Sequence, residues 1–104
     1  MTTFKYDLND TDKYQQNPLY WAASHGRLKV AELLIKHGTN VNHLDQNGQT
    51  CLFYAAREGQ LEMCKFLINR GCQYDLVDRN KKTAVHFAKT YKHSQLVEYF
   101  HGLR

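Results

Sequence analysis

The feature that most constrains this chain is a repeated register. Sliding the sequence by 33 residues lays PLYWAASHGRLKVAELLIKHGTNVNHLD, starting at Pro18, over CLFYAAREGQLEMCKFLINRGCQYDLVD, starting at Cys51. Nine of the 28 aligned positions are identical: Leu19/Leu52, Ala22/Ala55, Ala23/Ala56, Gly26/Gly59, Leu28/Leu61, Leu34/Leu67, Ile35/Ile68, Gly38/Gly71 and Asp45/Asp78. A second shift reaches NKKTAVHFAKTYKHSQLVEYFHGLR, which keeps Asn80, Thr83 and Ala88 and much of the apolar pattern. A shift the other way sets Leu8, Asn9 and Asp12 under Val41, Asn42 and Asp45. Self-similarity at this period implies stacked supersecondary units, each burying its apolar face on its neighbours.

Each unit reads as two short helices. In the central one the pattern predicts a first helix over Leu52–Glu58 and a second over Leu61–Arg70, with Gly59 between them. Neither is long enough to persist alone in water. The second carries Leu61, Cys64, Phe66, Leu67 and Ile68 on and around one stripe, with Glu62, Lys65, Asn69 and Arg70 elsewhere. Gly38 and Gly71 fall where a helix C-terminus needs a left-handed residue. The paired alanines let first helices of successive units approach closely, while the larger second-helix side chains fill the space behind and curve the stack. The fold class expected is therefore an all-α repeat, a short curved solenoid of antiparallel helix pairs. Its organisation is an N-terminal segment at 1–16, a degenerate preceding unit or a cap, then units at 17–46, 47–79 and 80–104.

Composition matters mainly for what it excludes. At 104 residues, with 42% hydrophobic and 23% charged residues, the chain is one soluble domain with enough apolar material for a core. No apolar run is long enough to span a membrane, and the N-terminus lacks a signal-peptide pattern, so an intracellular location, cytoplasm or nucleus, is expected. Cys51, Cys64 and Cys72 are odd in number with no Cys-x-x-Cys pair; they read as small buried thiols rather than a disulfide framework or zinc site. The net charge of +4 sits after residue 80, where Lys81, Lys82, Lys89, Lys92 and Arg104 face Glu98 alone. Such a bias attracts an acidic partner.

The register resembles the ankyrin repeat family, whose units open on Thr-Pro-Leu-His and an alanine pair. Here the openings are Asn17-Pro18-Leu19-Tyr20, Thr50-Cys51-Leu52-Phe53 and Thr83-Ala84-Val85-His86. Val41, Asn42 and Asp45 match the family's unit ending. The resemblance implies L-shaped units whose outward loops pair as β-hairpin-like fingers, centred here on residues 43–49 and 76–82. It also implies that His86 ties down the start of its first helix by hydrogen bonding, and that the units with Tyr20 and Phe53 at that site rely on packing. Asn42 matches a finger asparagine that is often hydroxylated in the family. Lys92 replaces the glycine of Gly26 and Gly59, Lys89 an alanine, and His101 the isoleucine of Ile35 and Ile68. These polar exchanges predict a solvent-facing terminal unit, a C-terminal cap near Arg104. The chain then reads as a complete small protein or as a repeat segment of a longer one.

Catalytic chemistry is hard to place on this pattern. His25, His37, His43, His86, His93 and His101 fall at different repeat positions without metal-ligand spacing, and Cys51 with His86 lacks an orienting acid or oxyanion hole. No phosphate-binding loop occurs, and the basic tail lacks the regularly placed aromatics of a nucleic-acid binder. The chain is thus expected to be no enzyme, to need no cofactor or metal, and to act as a monomer. The family resemblance implies recognition of a protein or peptide on a concave face, acidic opposite residues 79–92. Candidate contacts are Trp21, His25, Gln46, Gln49, Tyr54, Arg57, Glu58, Arg79, Lys82, Phe87 and Tyr91, with Asn47, Cys51, Asn80 and Ala84 beside them. Trp21, Tyr54 and Phe87 recur at the repeat spacing and predict an aromatic ladder. The alternatives are a structural spacer that positions an attached, even catalytic, domain and a methyl-lysine reader built on that ladder with Glu58.

Overall fold

Three helix pairs follow one another in the computed structural model, which describes residues 11–103. They are α1 Pro18–Ser24 with α2 Leu28–Lys36, α3 Cys51–Arg57 with α4 Leu61–Asn69, and α5 Ala84–Thr90 with α6 Ser94–His101. The first helices start where the sequence supplies caps. The side-chain oxygens of Asn17, Thr50 and Thr83 accept hydrogen bonds from the amides of Leu19, Leu52 and His86. Of the central helices, α3 starts and ends one residue before the expected bounds and α4 ends one residue early, shifts within ordinary end-fraying.

The turn between paired helices is left-handed in every unit, with φ of 68° at Gly26, 70° at Gly59 and 64° at Lys92. Glycine at the first two sites has a second cause beyond φ. A Cβ on Gly59 would sit 2.5 Å from Nδ1 of His93, and one on Gly26 would sit 2.6 Å from Oε1 of Gln60. Those side chains belong to the following unit, where Gln60 Nε2 donates to the Ser24 carbonyl and His93 Nε2 donates to that of Arg57. Lys92 is strained but exposed. Lys89 and His101 are exposed as well.

The core runs along the stack. Ala22, Ala23, Ala55, Ala56 and Ala88 are fully buried where α1, α3 and α5 lie side by side, and Leu19, Leu52, Met63, Leu67 and Leu96 fill the space behind. Each such leucine contributes about 1.5–3 kcal/mol by leaving water. The three thiols are buried in this core as expected.

The fingers are turns, and no strand occurs among the described residues. Each is closed by one aspartate: Asp12, Asp45 and Asp78 accept from the amides two and four residues on, at 2.8–3.0 Å. Neighbouring fingers are joined by single backbone bonds, Gln46 to Tyr14 and Arg79 to Asn47, rather than by a ladder. Glutamines add side-chain ties: Gln16 donates to Asp45 at 3.1 Å and Gln49 to Asp78 at 2.7 Å. Residues 12–16 thus repeat the geometry of the later fingers, whereas Leu8, Asn9 and Arg104 lie outside the described residues. Asn42 bridges two units, donating to the Gly71 carbonyl and accepting from the Gln73 amide.

Candidate protein-binding surface

The fingers and first helices share one face. Trp21 stands on it 53% exposed, its ring stacked on His25 with centroids 4.9 Å apart. His25 is fixed in turn, because its Nδ1 lies 3.0 Å from the Trp21 carbonyl. A rigid indole held this way loses little entropy on contact with a partner. Tyr91, which caps the C-terminus of α5, is 52% exposed at the other end.

The aromatics do not form the expected straight ladder. Ring contacts run diagonally, from Tyr20 to Tyr54 at 5.5 Å and from Phe53 to Phe87 at 6.1 Å, both edge-on. The step between units carries each first-helix ring onto the residue before its counterpart. Trp21 is therefore left to its own helix, and Phe87 is half-buried. The methyl-lysine reading loses its frame here. Arg57 lies 5.5 Å from the Tyr54 ring centre and Glu58 pairs with Arg57 at 3.7 Å, so the nominated acid and one aromatic wall are already engaged.

Two expectations about the helix starts are corrected. Tyr20 does not rely on packing alone: its hydroxyl lies 2.7 Å from the His43 carbonyl and 2.6 Å from that of Gln49, sharing one proton between them. Burial and the charge of Asp45 drive that phenol far above its ordinary pKa. His86 does not supply the tie at its helix; its Nε2 faces Thr90 Oγ1 at 3.4 Å, and Thr83 is the cap. Phe53 does rely on packing, against Phe87.

Several finger residues are committed inward. Cys51 and Ala84 are buried, so neither can touch a partner. The Cys51 thiol, hydrogen-bonded with Cys72 and desolvated, is held well above its usual pKa. Gln49 is used by Asp78. Gln46, Asn47, Arg57, Glu58, Arg79, Asn80 and Lys82 are exposed. Lys81, Lys89 and Lys92 are exposed too, so the third unit is cationic; Lys89 and Lys92 border a hollow shared with Val97 and Glu98 of α6.

At the near end lies a trough of about 410 Å3 between Asp12, Gln16, Pro18, Tyr20, Trp21 and Tyr54. The Tyr54 hydroxyl donates to Asp45 at 2.6 Å, and its pKa is pushed up to about 12 by burial and by that carboxylate. Asp12 and Tyr20 were not among the expected contacts. The register did align Asp12 with Asp45, but nothing local shows that a finger carboxylate and the next unit's tyrosine border one hollow. Among the described residues no cluster of three or more His, Cys, Asp or Glu could hold a metal, and no helix is long and apolar enough to cross a membrane.

A comparison with curated proteins found no match. The family model for ankyrin repeats in three copies matches residues 2–78. Its span takes in the N-terminal segment and the first two helix pairs, while α5 and α6 continue the same geometry beyond it. With most of its length matched, and with stacked helix pairs joined by aspartate-closed fingers, the chain belongs to the ankyrin-repeat family, whose units serve in general as non-catalytic protein–protein interaction modules.

Proposed function

We propose that this chain binds a protein or peptide along the face made by its fingers and first helices, acting as a monomeric intracellular module without a cofactor. The observation that carries this reading is the pairing of a rigid, half-exposed Trp21 with a cationic third unit on a surface whose buried polar groups are internally satisfied. Aromatic anchors flanked by charges are the residues that dominate interface energies. Arg79, Lys81, Lys82 and Lys89 favour a partner that is acidic where it lies against residues 79–92. Exposed charges of this kind act mainly on encounter rate and register, so association should weaken as salt rises.

The test uses the purified chain as bait, identifies what it retains, and measures that partner's affinity for wild type and for Trp21→Ala, Arg57→Ala and Lys82→Ala. Circular dichroism first establishes that each variant is folded. The reading expects at least a tenfold loss for Trp21→Ala and a salt-dependent loss for Lys82→Ala. A structural spacer would show no affinity that responds to these changes, and unchanged affinity in all three variants would refute the binding face.

A further inference from the structure

We propose that the trough beside Trp21 is an anchor pocket for a cationic side chain of the partner, lysine or arginine, an inference that rests on reading this face as a binding surface. Its walls and its charge point the same way. Trp21 and Pro18 offer flat apolar surface for an alkyl stem, and the trough is large enough to take one whole side chain. Asp12 stands at its rim, exposed, with Oδ1 accepting from the Tyr14 and Gln16 amides. Beneath lies Asp45, only 4% exposed, whose Oδ2 is held by Gln16 and Tyr54, both lining residues.

One carboxylate, Asp12, therefore borders the hollow, Asp45 lies behind two of its lining residues, and no ion pair engages Asp12. Among the described residues the ion pairs are Arg57 with Glu58 and Lys65 with Glu62. Lys13, next to Asp12 in sequence, places its ammonium over the Tyr14 ring at 5.2 Å. The charge of Asp45 is felt at Tyr20 and Tyr54, where burial is the larger cause, and at Tyr54 the Arg57 guanidinium opposes it. A long cationic side chain suits such a place, with its stem on the rings and its head at the carboxylate. The Arg57 guanidinium near the Tyr54 ring is an example within this chain.

The consequence is polarity. The surface has the Asp12 carboxylate and the Trp21 ring at its near end and cations at the third unit, so the matching partner segment is dipolar. Its basic residue lies in the trough and its acidic residues lie against Arg79, Lys82 and Lys89. That arrangement sets which end of the partner lies at which end of the stack.

The molecule reports on this pocket directly, because Trp21 is its one tryptophan. The probe is an acetylated, amidated peptide with lysine first, Gly-Ser repeated five times, then Glu-Asp-Glu-Asp. Ten linker residues reach about 33–36 Å, a large part of the 47 Å long axis of the molecule. Tryptophan emission and affinity are followed for this peptide, for its arginine and norleucine versions, and for one with serines in place of the acids. Lysine and arginine are expected to shift the emission and to bind about tenfold tighter than norleucine. Asp12→Asn, which keeps an oxygen for both amides, should erase that tenfold difference. If norleucine binds as well as lysine, or acidic binding leaves the emission unmoved, the pocket assignment is overturned while the binding face stands. If removing the acids changes nothing yet lysine still shifts Trp21, the acidic-partner reading fails and the pocket stands. No binding by any peptide refutes both.

Discussion

Replacing Gly59 with alanine tests the idea that this glycine serves two needs at once. Its φ of 70° lies in the left-handed region, where an L-residue costs about 1–2 kcal/mol. The stiffer unfolded chain of the alanine variant returns roughly 0.5 kcal/mol of that. The added Cβ would also sit 2.5 Å from Nδ1 and 2.6 Å from Cε1 of His93. The ring must therefore swing away and give up its 2.8 Å bond to the Arg57 carbonyl, at a further cost of about 1 kcal/mol. Gly59→Ala should destabilise by about 2 kcal/mol in total, and by only about 1 kcal/mol in a His93→Ala background, where nothing occupies the space. Lys92 has the same backbone at the corresponding site, φ 64° and exposed. Lys92→Gly should thus have the opposite sign, stabilising by about 0.5 kcal/mol once the flexibility of glycine in the unfolded chain is deducted. Urea denaturation of wild type, the three single variants and the double variant gives all these values. Equal cost of Gly59→Ala with and without the His93 ring would refute the close approach between units. Destabilisation by Lys92→Gly would refute the strain.

Asp45→Ala removes the acceptor shared by the Asn47 and Gln49 amides, the Tyr54 hydroxyl and Gln16. It should cost about 3 kcal/mol, against about 1 kcal/mol for exposed Asp12→Ala, both read from chemical denaturation. Asp78 feels burial, which raises its pKa, but bonds from Lys82, Gln49 and Asn80 outweigh this and hold its carboxyl below the ordinary 3.8. A depressed folded pKa means the unfolded chain takes up the proton first. The stabilisation is therefore present above pH 3.8 and is lost as pH falls through the lower folded value; Asp78→Asn should flatten that part of a stability–pH profile, and an unchanged slope would count against it. Burial pushes the Cys64 thiol up to about 12, so native protein at pH 8 should resist iodoacetamide at Cys64 and react once unfolded in urea. Rapid labelling of the native state would show that the core is not closed there.

Much of the architecture was legible because it depends on local chemistry. Asn17, Thr50 and Thr83 are capping residues in any context, and Gly38 and Gly71 end helices by a backbone preference that needs no partner. The binding surface was legible only in outline. Exposed Trp21, Arg79 and Lys82 follow from repeat position, but the diversion of Gln49 to Asp78, the burial of Cys51 and the role of Tyr20 do not. Those depend on groups about one unit away in sequence, which a periodic pattern aligns without saying which atoms meet. The fingers show the same limit. Turn-forming residues were evident, yet whether neighbouring fingers pair as strands or touch through single bonds rests on their spacing in the stack.

Amino-acid order by itself determined the period, the two helices per unit, the left-handed turns and the side of each helix that is apolar. Tertiary structure alone decided which apolar residues leave water. Val30, Met63 and Leu96 hold one repeat position, yet Val30 is 40% exposed while Met63 and Leu96 are each 1% exposed. The latter two helices have a helix pair stacked before them and α2 has none among the described residues. Burial in a stack belongs to the junction between units, so identical local sequence can give opposite exposure at its ends and in its middle.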